Sequence, residues 1–304
     1  MKSASSRMEE TKMAHRDING RECPKIVVSK FGRVARQEID YILEIVEECY
    51  GRLEPHGVAL VDLYIFEKSS SMNALMTKEF KEVGVLSSSF DELFFAMHDA
   101  YRGTSRIVIC LERMKKLPSL VKVGGIRHEV GHSVLHGNLL YYLLSLPIAL
   151  LDPLKRFSIS PENATNLLYL ISIAVKDYEV TRLLYERGYI EDQIAYAKHM
   201  LLVTEDDKLA WEMARGKPLV EILCLVSRLK PAGCVAPLLL DKTFGEELRA
   251  LLTESLSYLS TDFSASVFNM IMEGFPSLGA DTLSNINQVA CLVVESIINP
   301  ILLR

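Results

Sequence analysis

The 304-residue chain reads as an α+β protein. It should have a small antiparallel or mixed sheet packed on a helix bearing an H-E-x-x-H motif, followed by a largely α-helical C-terminal region. Three observations lead there. Short β-branched and apolar runs bounded by turn residues all fall before Glu112. The motif, His128 to His132, lies in a helical stretch. Beyond Asn138 strand signals nearly vanish, leaving amphipathic periods punctuated by Gly and Pro. Residues 1–22 are expected to be a disordered arm, 23–190 a domain built around the motif, and 191–304 an all-helical region.

Hydrophobic residues make up 49% and charged residues 24%, an ordinary globular balance. A net charge of −5 with scattered basic residues gives no reason to expect a nucleic-acid partner. The six cysteines form no C-x-x-C pair, which excludes a thiolate zinc site of that kind; several, like Cys110 in V-I-C-L, read as reduced core thiols. The N-terminus lacks the apolar region of a secretory signal, so a cytoplasmic location is expected.

Lys25 to Ser29 (K-I-V-V-S) suits a short strand. Phe31 to Leu53 carries Val34, Ile39, Ile42, Leu43, Ile45, Val46 and Cys49 at helical spacing. Val58 to Phe66 is a β-branched buried strand, and Asn73 to Val83 a short helix. Glu92 to His98 and Arg106 to Leu111 are further strands, and the Tyr101-Arg102-Gly103-Thr104 turn between them predicts an antiparallel pair. After Pro118 comes the motif helix, ending at Gly137.

Leu139 to Leu151 is intensely apolar but too short, and broken by Pro147, to span a bilayer, which takes about 20 residues. It reads as a buried or surface-docked helix. Ser160-Pro161-Glu162 is a helix start, with Ser as N-cap and Pro at N1, and Gly188 its end. Glu191 to Val203, Asp206 to Ala214, Pro218 to Leu229, Glu246 to Leu259, Ser264 to Glu273 and Asp281 to Ile298 complete the helical set. Gly216-Lys217-Pro218, Pro231-Ala232-Gly233 and Phe275-Pro276 separate them.

In the motif, His128 and His132 sit about 40° apart around the helix and about 6 Å apart along it, so both imidazoles can bind one Zn²⁺. Glu129 lies off that line, beside the metal, where its carboxylate can take a proton from the water that the metal activates. Two histidines need a third ligand. On a continuing helix His136 is about 80° round and 12 Å along from His128, too far to share the ion. It suits a supporting contact or a helix-end His. Glu179 shares an apolar helical face with Leu168, Ser172, Val175 and Leu183, where a buried carboxylate calls for a cation; Asp177, on another face, is the alternative.

His128-Glu129-x-x-His132, with a Glu on a later helix, resembles the gluzincin branch of zincin metallopeptidases. H-E-V-G-H-S-V-L-H is similar to the H-E-L-G-H-x-x-L-H of ImmA/IrrE-type peptidases. The apolar stretch between motif and ligand Glu is similar to that of compact HtpX-type peptidases. The resemblance covers about Arg106 to Tyr189. It implies one Zn²⁺ per chain, a peptide or protein substrate, and hydrolysis with Glu129 as general base. It also implies a strand before the motif helix, here Arg106 to Leu111, lying along the cleft, where a peptide could pair with its edge. Tyr178, His98 and His136 are candidates for the oxyanion donor. Two rival readings stay open: a zinc-binding regulatory protein on the same scaffold, and a membrane-surface protease using Leu139 to Leu151.

Overall fold

The computed structural model describes residues 8–11, 23–82 and 94–304. It is an α+β fold, and its contacts group the chain into two units: Met1–Leu143 with Arg187–Tyr196, and Leu144–Glu186 with Ala197–Arg304. The long helix after Ser160 makes its contacts with the C-terminal helices, while the residues following it belong with the sheet.

The first unit holds a five-stranded sheet in the order β1-β2-β3-β5-β4, with β1 Met8–Thr11, β2 Lys25–Phe31, β3 Leu60–Phe66, β4 Ala96–Asp99 and β5 Ser105–Cys110. β2, β3 and β5 run parallel, and β1 and β4 are antiparallel edges, so the sheet is mixed. Val61, Leu63 and Ile65 of β3 are fully buried on one face, while Tyr64 and Phe66 are buried on the other. That near-continuous apolar run is what a strand covered on both sides requires. Tyr64, Phe66, Val108 and Cys110 form one cluster with Met72 and Met76 of α2 Ser69–Glu82. Arg106 of β5 is bonded by Asp99, its partner in the hairpin register, at 2.8 Å and by Glu79 of α2, which ties that helix to the hairpin.

Within the expected arm, Met8–Thr11 pairs with β2 as an antiparallel strand. The rest of the arm lies outside the described residues, as do Val83 of the second predicted helix and Glu92 of the predicted strand. The first helix, α1 Arg36–Arg52, starts later than the periodicity suggested because β2 runs on through Phe31; the Glu38 carboxylate accepts from Ala35 N–H at 3.1 Å and sets the start. β5 is paired on both sides and offers no edge, so the expected peptide-pairing strand is overturned and the edge falls to β4. After α3 Leu111–Met114 comes the motif helix, α4 Ser119–His136, packed on α1, β4 and β5.

Leu139 to Leu151 is not one helix. A 3₁₀ turn, Leu139–Tyr141, capped by Asn138 Oδ1 accepting from Leu140 N–H, gives way to extended chain up to Pro147. Pro147 then leads into α5 Ile148–Arg156. Locked φ and a missing N–H make Pro147 a start and not an interior. Leu140, Leu143 and Ile148 are exposed, Ile148 at 83%, so burial of the run is also corrected.

The second unit is helical. α6 Pro161–Glu186 is its axis, with Ser160 Oγ accepting from Asn163 N–H and Gly188, at φ +79°, beyond its end. After α7 Glu191–Met200, most of which belongs to the first unit, come α8 Glu205–Ala214, α9 Pro218–Ser227, α10 Leu229–Val235, α11 Gly245–Leu256, α12 Thr261–Asn269, α13 Thr282–Val293 and α14 Asn299–Leu302. The P-A-G stretch expected as a break lies inside α10. Pro231 falls in the first turn, where no helical N–H partner is lost. A Cβ on Gly233 would lie 2.6 Å from the Ala174 carbonyl oxygen, so the close contact of α10 with α6 needs glycine. Among the described residues, one helix, Thr282–Leu302, is long and apolar enough to cross a membrane by length and composition; 44% of its most apolar 18-residue stretch is buried.

Two glycines in α4 look unsuited to a helix interior. A Cβ on Gly124 would lie 2.3 Å from the Asp192 carbonyl oxygen, and one on Gly125 2.5 Å from the Phe95 ring. Gly124→Ala gains about 1 kcal/mol of helix propensity, but the clash is with backbone, which cannot rotate aside. The expected result is a net loss of about 1–3 kcal/mol, measured by denaturant unfolding; a stabilised variant would show that α4 and the 187–196 segment are not in this contact.

Candidate metal centre

In the first unit, α4 carries four of the groups singled out above. The His128 and His132 rings lie 4.8 Å apart, nearly perpendicular. His128 is 1% exposed and Glu129 5%, whereas His132 is half-buried. His136 is fully buried, and its Nδ1 lies 3.2 Å from His132 Nδ1. Tyr196 packs on the His128 ring at 5.1 Å. Ser133, on the next turn, bonds the Tyr50 hydroxyl of α1. The residue before the pair, Arg127, bonds Glu48 at 2.9 Å and Asp192 at 3.2 Å, and its guanidinium lies 4.2 Å over the Tyr189 ring.

His98 comes to this helix from β4. Its ring stacks parallel on His132, with centroids 6.1 Å apart. His98 Nε2 is 2.8 Å from Ser105 Oγ, and Nδ1 is 3.0 Å from the Tyr142 hydroxyl. His98, His132 and His136 therefore form one row, as the sequence spacing alone could not show.

In the second unit, the middle of α6 is a run of buried polar groups: Lys176, Asp177, Tyr178, Glu179 and Thr181. The Cys234 thiol of α10 donates to Asp177 Oδ2 at 3.6 Å. Burial pulls the Lys176 ammonium down to about 8, against the pull of the Asp177 and Glu179 carboxylates. Glu179 is buried as its helical face implied, and its carboxylate has side-chain donors. Thr282 Oγ1 donates to one carboxylate oxygen at 2.8 Å, and Asn285 Nδ2 to the other at 2.5 Å. Tyr178 meets Phe275 edge-on at 5.4 Å, with Arg182 over its ring, and burial raises its hydroxyl pKa.

Among the described residues, His128 of the first unit and, within the second, Asp177 beside Cys234 are buried side chains of kinds that bind metal. Imidazole, carboxylate and thiol all suit a borderline-soft ion. Cys234 escaped the sequence reading because it has no neighbouring Cys or His; only its depth in the fold distinguishes it from any core thiol. In comparisons with family models, with curated proteins and with solved structures, nothing matches this chain.

These surroundings separate two carboxylates two residues apart. Asp177→Asn should lower bound metal at least tenfold, as expected when a ligand or its close support is lost. Glu179→Gln should keep the metal but lose about 1–3 kcal/mol, since an amide NH₂ then faces a donor. Elemental analysis of the zinc-loaded variants, beside denaturant unfolding, checks both; loss of metal from Glu179→Gln alone would restore Glu179 as ligand.

Proposed function

We propose that the chain is a zinc-dependent metallopeptidase that hydrolyses peptide bonds with Glu129 as general base. One observation carries the reading: α4 sets the His128 and His132 rings 4.8 Å apart on one helix, with Glu129 beside them and 5% exposed. A carboxylate beside two imidazoles on one helix stands where a general base can serve a bound cation. The motif's similarity to gluzincins of the ImmA/IrrE type supports the same assignment. The third ligand comes from α6. Asp177 has the better claim, because Glu179 already accepts two hydrogen bonds.

Zinc, when bound, supplies positive charge that lowers the pKa of water towards about 7 and polarises the scissile carbonyl. The chain's own groups do the rest. Glu129 takes the proton of the attacking water and returns it to the leaving amine. For His132 to offer a lone pair at Nε2, its Nδ1 must carry the hydrogen, and His136 Nδ1 at 3.2 Å is the acceptor. His136 thereby orients a ligand without being one, a role typically worth about 10–100-fold in metal affinity. No disulfide joins the cysteines among the described residues, which suits a reducing, cytoplasmic setting.

A second reading has its own support. Catalytic zinc keeps an open position, whereas thiol-containing, fully buried sites are closed. Cys234 beside Asp177, both buried within the second unit, favours a closed metal site with a regulatory or structural role.

Zinc-loaded parent protein should bind about one ion per chain and cleave members of a quenched-fluorescence octapeptide library. His128→Ala and His132→Ala should each lose most of the metal. Glu129→Gln should keep metal and fold while cleavage falls about 10²–10⁴-fold. Equal cleavage by parent and Glu129→Gln would remove Glu129 as base; bound zinc with no cleavage by the parent would establish the closed site instead.

A further inference from the structure

We propose that the outward face of α5, in the second unit, docks on an anionic lipid leaflet: Leu146, Ile148 and Leu151 enter the acyl boundary while Lys155 and Arg156 meet the headgroup phosphates. Such docking needs no peptidase activity.

This nine-residue helix has two distinct faces. Leu150, Pro153 and Leu154 are buried, and α5 packs on α13 and on the helical turn Val294–Ile298. At about 100° per residue, Ile148, Leu151, Asp152, Lys155 and Arg156 fall within an arc of about 140° on the other side, and all five are exposed. Ile148 is 83% exposed, although a large aliphatic side chain gains much from leaving water. Single exposed apolar residues are ordinary on a protein surface. Leu146, Ile148 and Leu151, close together at the start of one helix, make an apolar edge instead.

Order along the axis selects the partner. The apolar groups hold the N-terminal end of the face, and the two cations stand about 10–12 Å beyond Ile148 at its C-terminal end. A lipid leaflet has the same order in depth, hydrocarbon and then phosphate. Lys155 and Arg156 complement the negative surface potential of such a leaflet, and their aliphatic stems can follow the apolar edge while the charges stay wet. The Arg156 guanidinium lies 5.2 Å over the Phe157 ring, which keeps it beside the helix end. Asp152 is the one acid on α5, so this face carries net positive charge on a chain of net charge −5. A helix of this length cannot span a bilayer, and its two-sided character suits the interface plane.

Flotation of the full chain with phosphatidylcholine vesicles, with and without phosphatidylserine, tests the docking. The parent should float with the phosphatidylserine vesicles, stay behind with phosphatidylcholine alone, and lose binding at high salt. Ile148→Ser should lower partitioning at least about tenfold. Lys155→Gln and Arg156→Gln should each lower it about fivefold. Denaturant unfolding of each variant should match the parent, since all three positions are exposed. Trp211 is buried, so the added indole of Ile148→Trp reports on this face, and its emission should shift to the blue with phosphatidylserine vesicles. A parent that floats with neither vesicle, or with both alike, would overturn the docking. So would flotation that survives Ile148→Ser, or Ile148→Trp emission that lipid leaves unmoved. A lipid-free dimer that Ile148→Ser dissociates would give the face to a second copy of the chain instead.

Discussion

Arg127 stands one position before His128, and its guanidinium joins three parts of the first unit: Glu48 on α1, Asp192 on the returning 187–196 segment, and the face of Tyr189. Isolated surface ion pairs contribute about 0–1 kcal/mol. This one is partly buried, is shared between two carboxylates and lies against an aromatic face, and each of those features strengthens it. Its effect is rotational. A helix pinned at Arg127 cannot turn about its axis, so the faces carrying His128, Glu129 and His132 are set by a residue that does no chemistry. Cys49 adds to the same end by meeting the Arg127 carbonyl oxygen at 4.0 Å. Gly124 lets the backbone of Asp192 come close enough for the pair to form.

Burying a carboxylate is costly, and two remedies exist: a cation, or donors enough to satisfy both oxygens. Sequence spacing showed that Glu179 would be buried but not which remedy applies. Its donors, Thr282 and Asn285, stand more than a hundred positions further on, at the start of α13. Asp177 shows the reverse. It lay on the less favoured face, yet α10 brings a thiol to it, because Gly233 allows that helix to sit against α6. Helical periodicity reports burial well and reports partners poorly.

Other elements follow the same division. The α+β class, the order of strands and helices, and the helical placement of the motif were readable, because each is written in local period, in caps such as Ser160 and Asp281, and in turn residues such as Gly188. The hairpin of β4 and β5 was readable too, from two apolar runs around Gly103, which adopts φ +80°. Not readable was that β5 would be an interior strand, since pairing with β3 spans some forty residues of chain. Nor could a row of histidines be foreseen from His98 and His132, which only the β4 register against α4 brings together. Leu139 to Leu151 misled for a different reason: apolar composition signals burial only on average, and Pro147 had already broken the helix that burial would have needed.

The lateral rims of the sheet have a consequence of their own. Its parallel centre is built from strands of seven, seven and six residues, while both outer strands, β1 and β4, are only four long. Unpaired main-chain groups at a sheet margin invite strands from other molecules, and long flat margins are the origin of intermolecular sheet growth. Here the long apolar strands are enclosed on either side by short antiparallel ones that present few such groups. Among the described residues, a sheet with a strongly adhesive interior thus ends in margins that present few groups on which another strand could build.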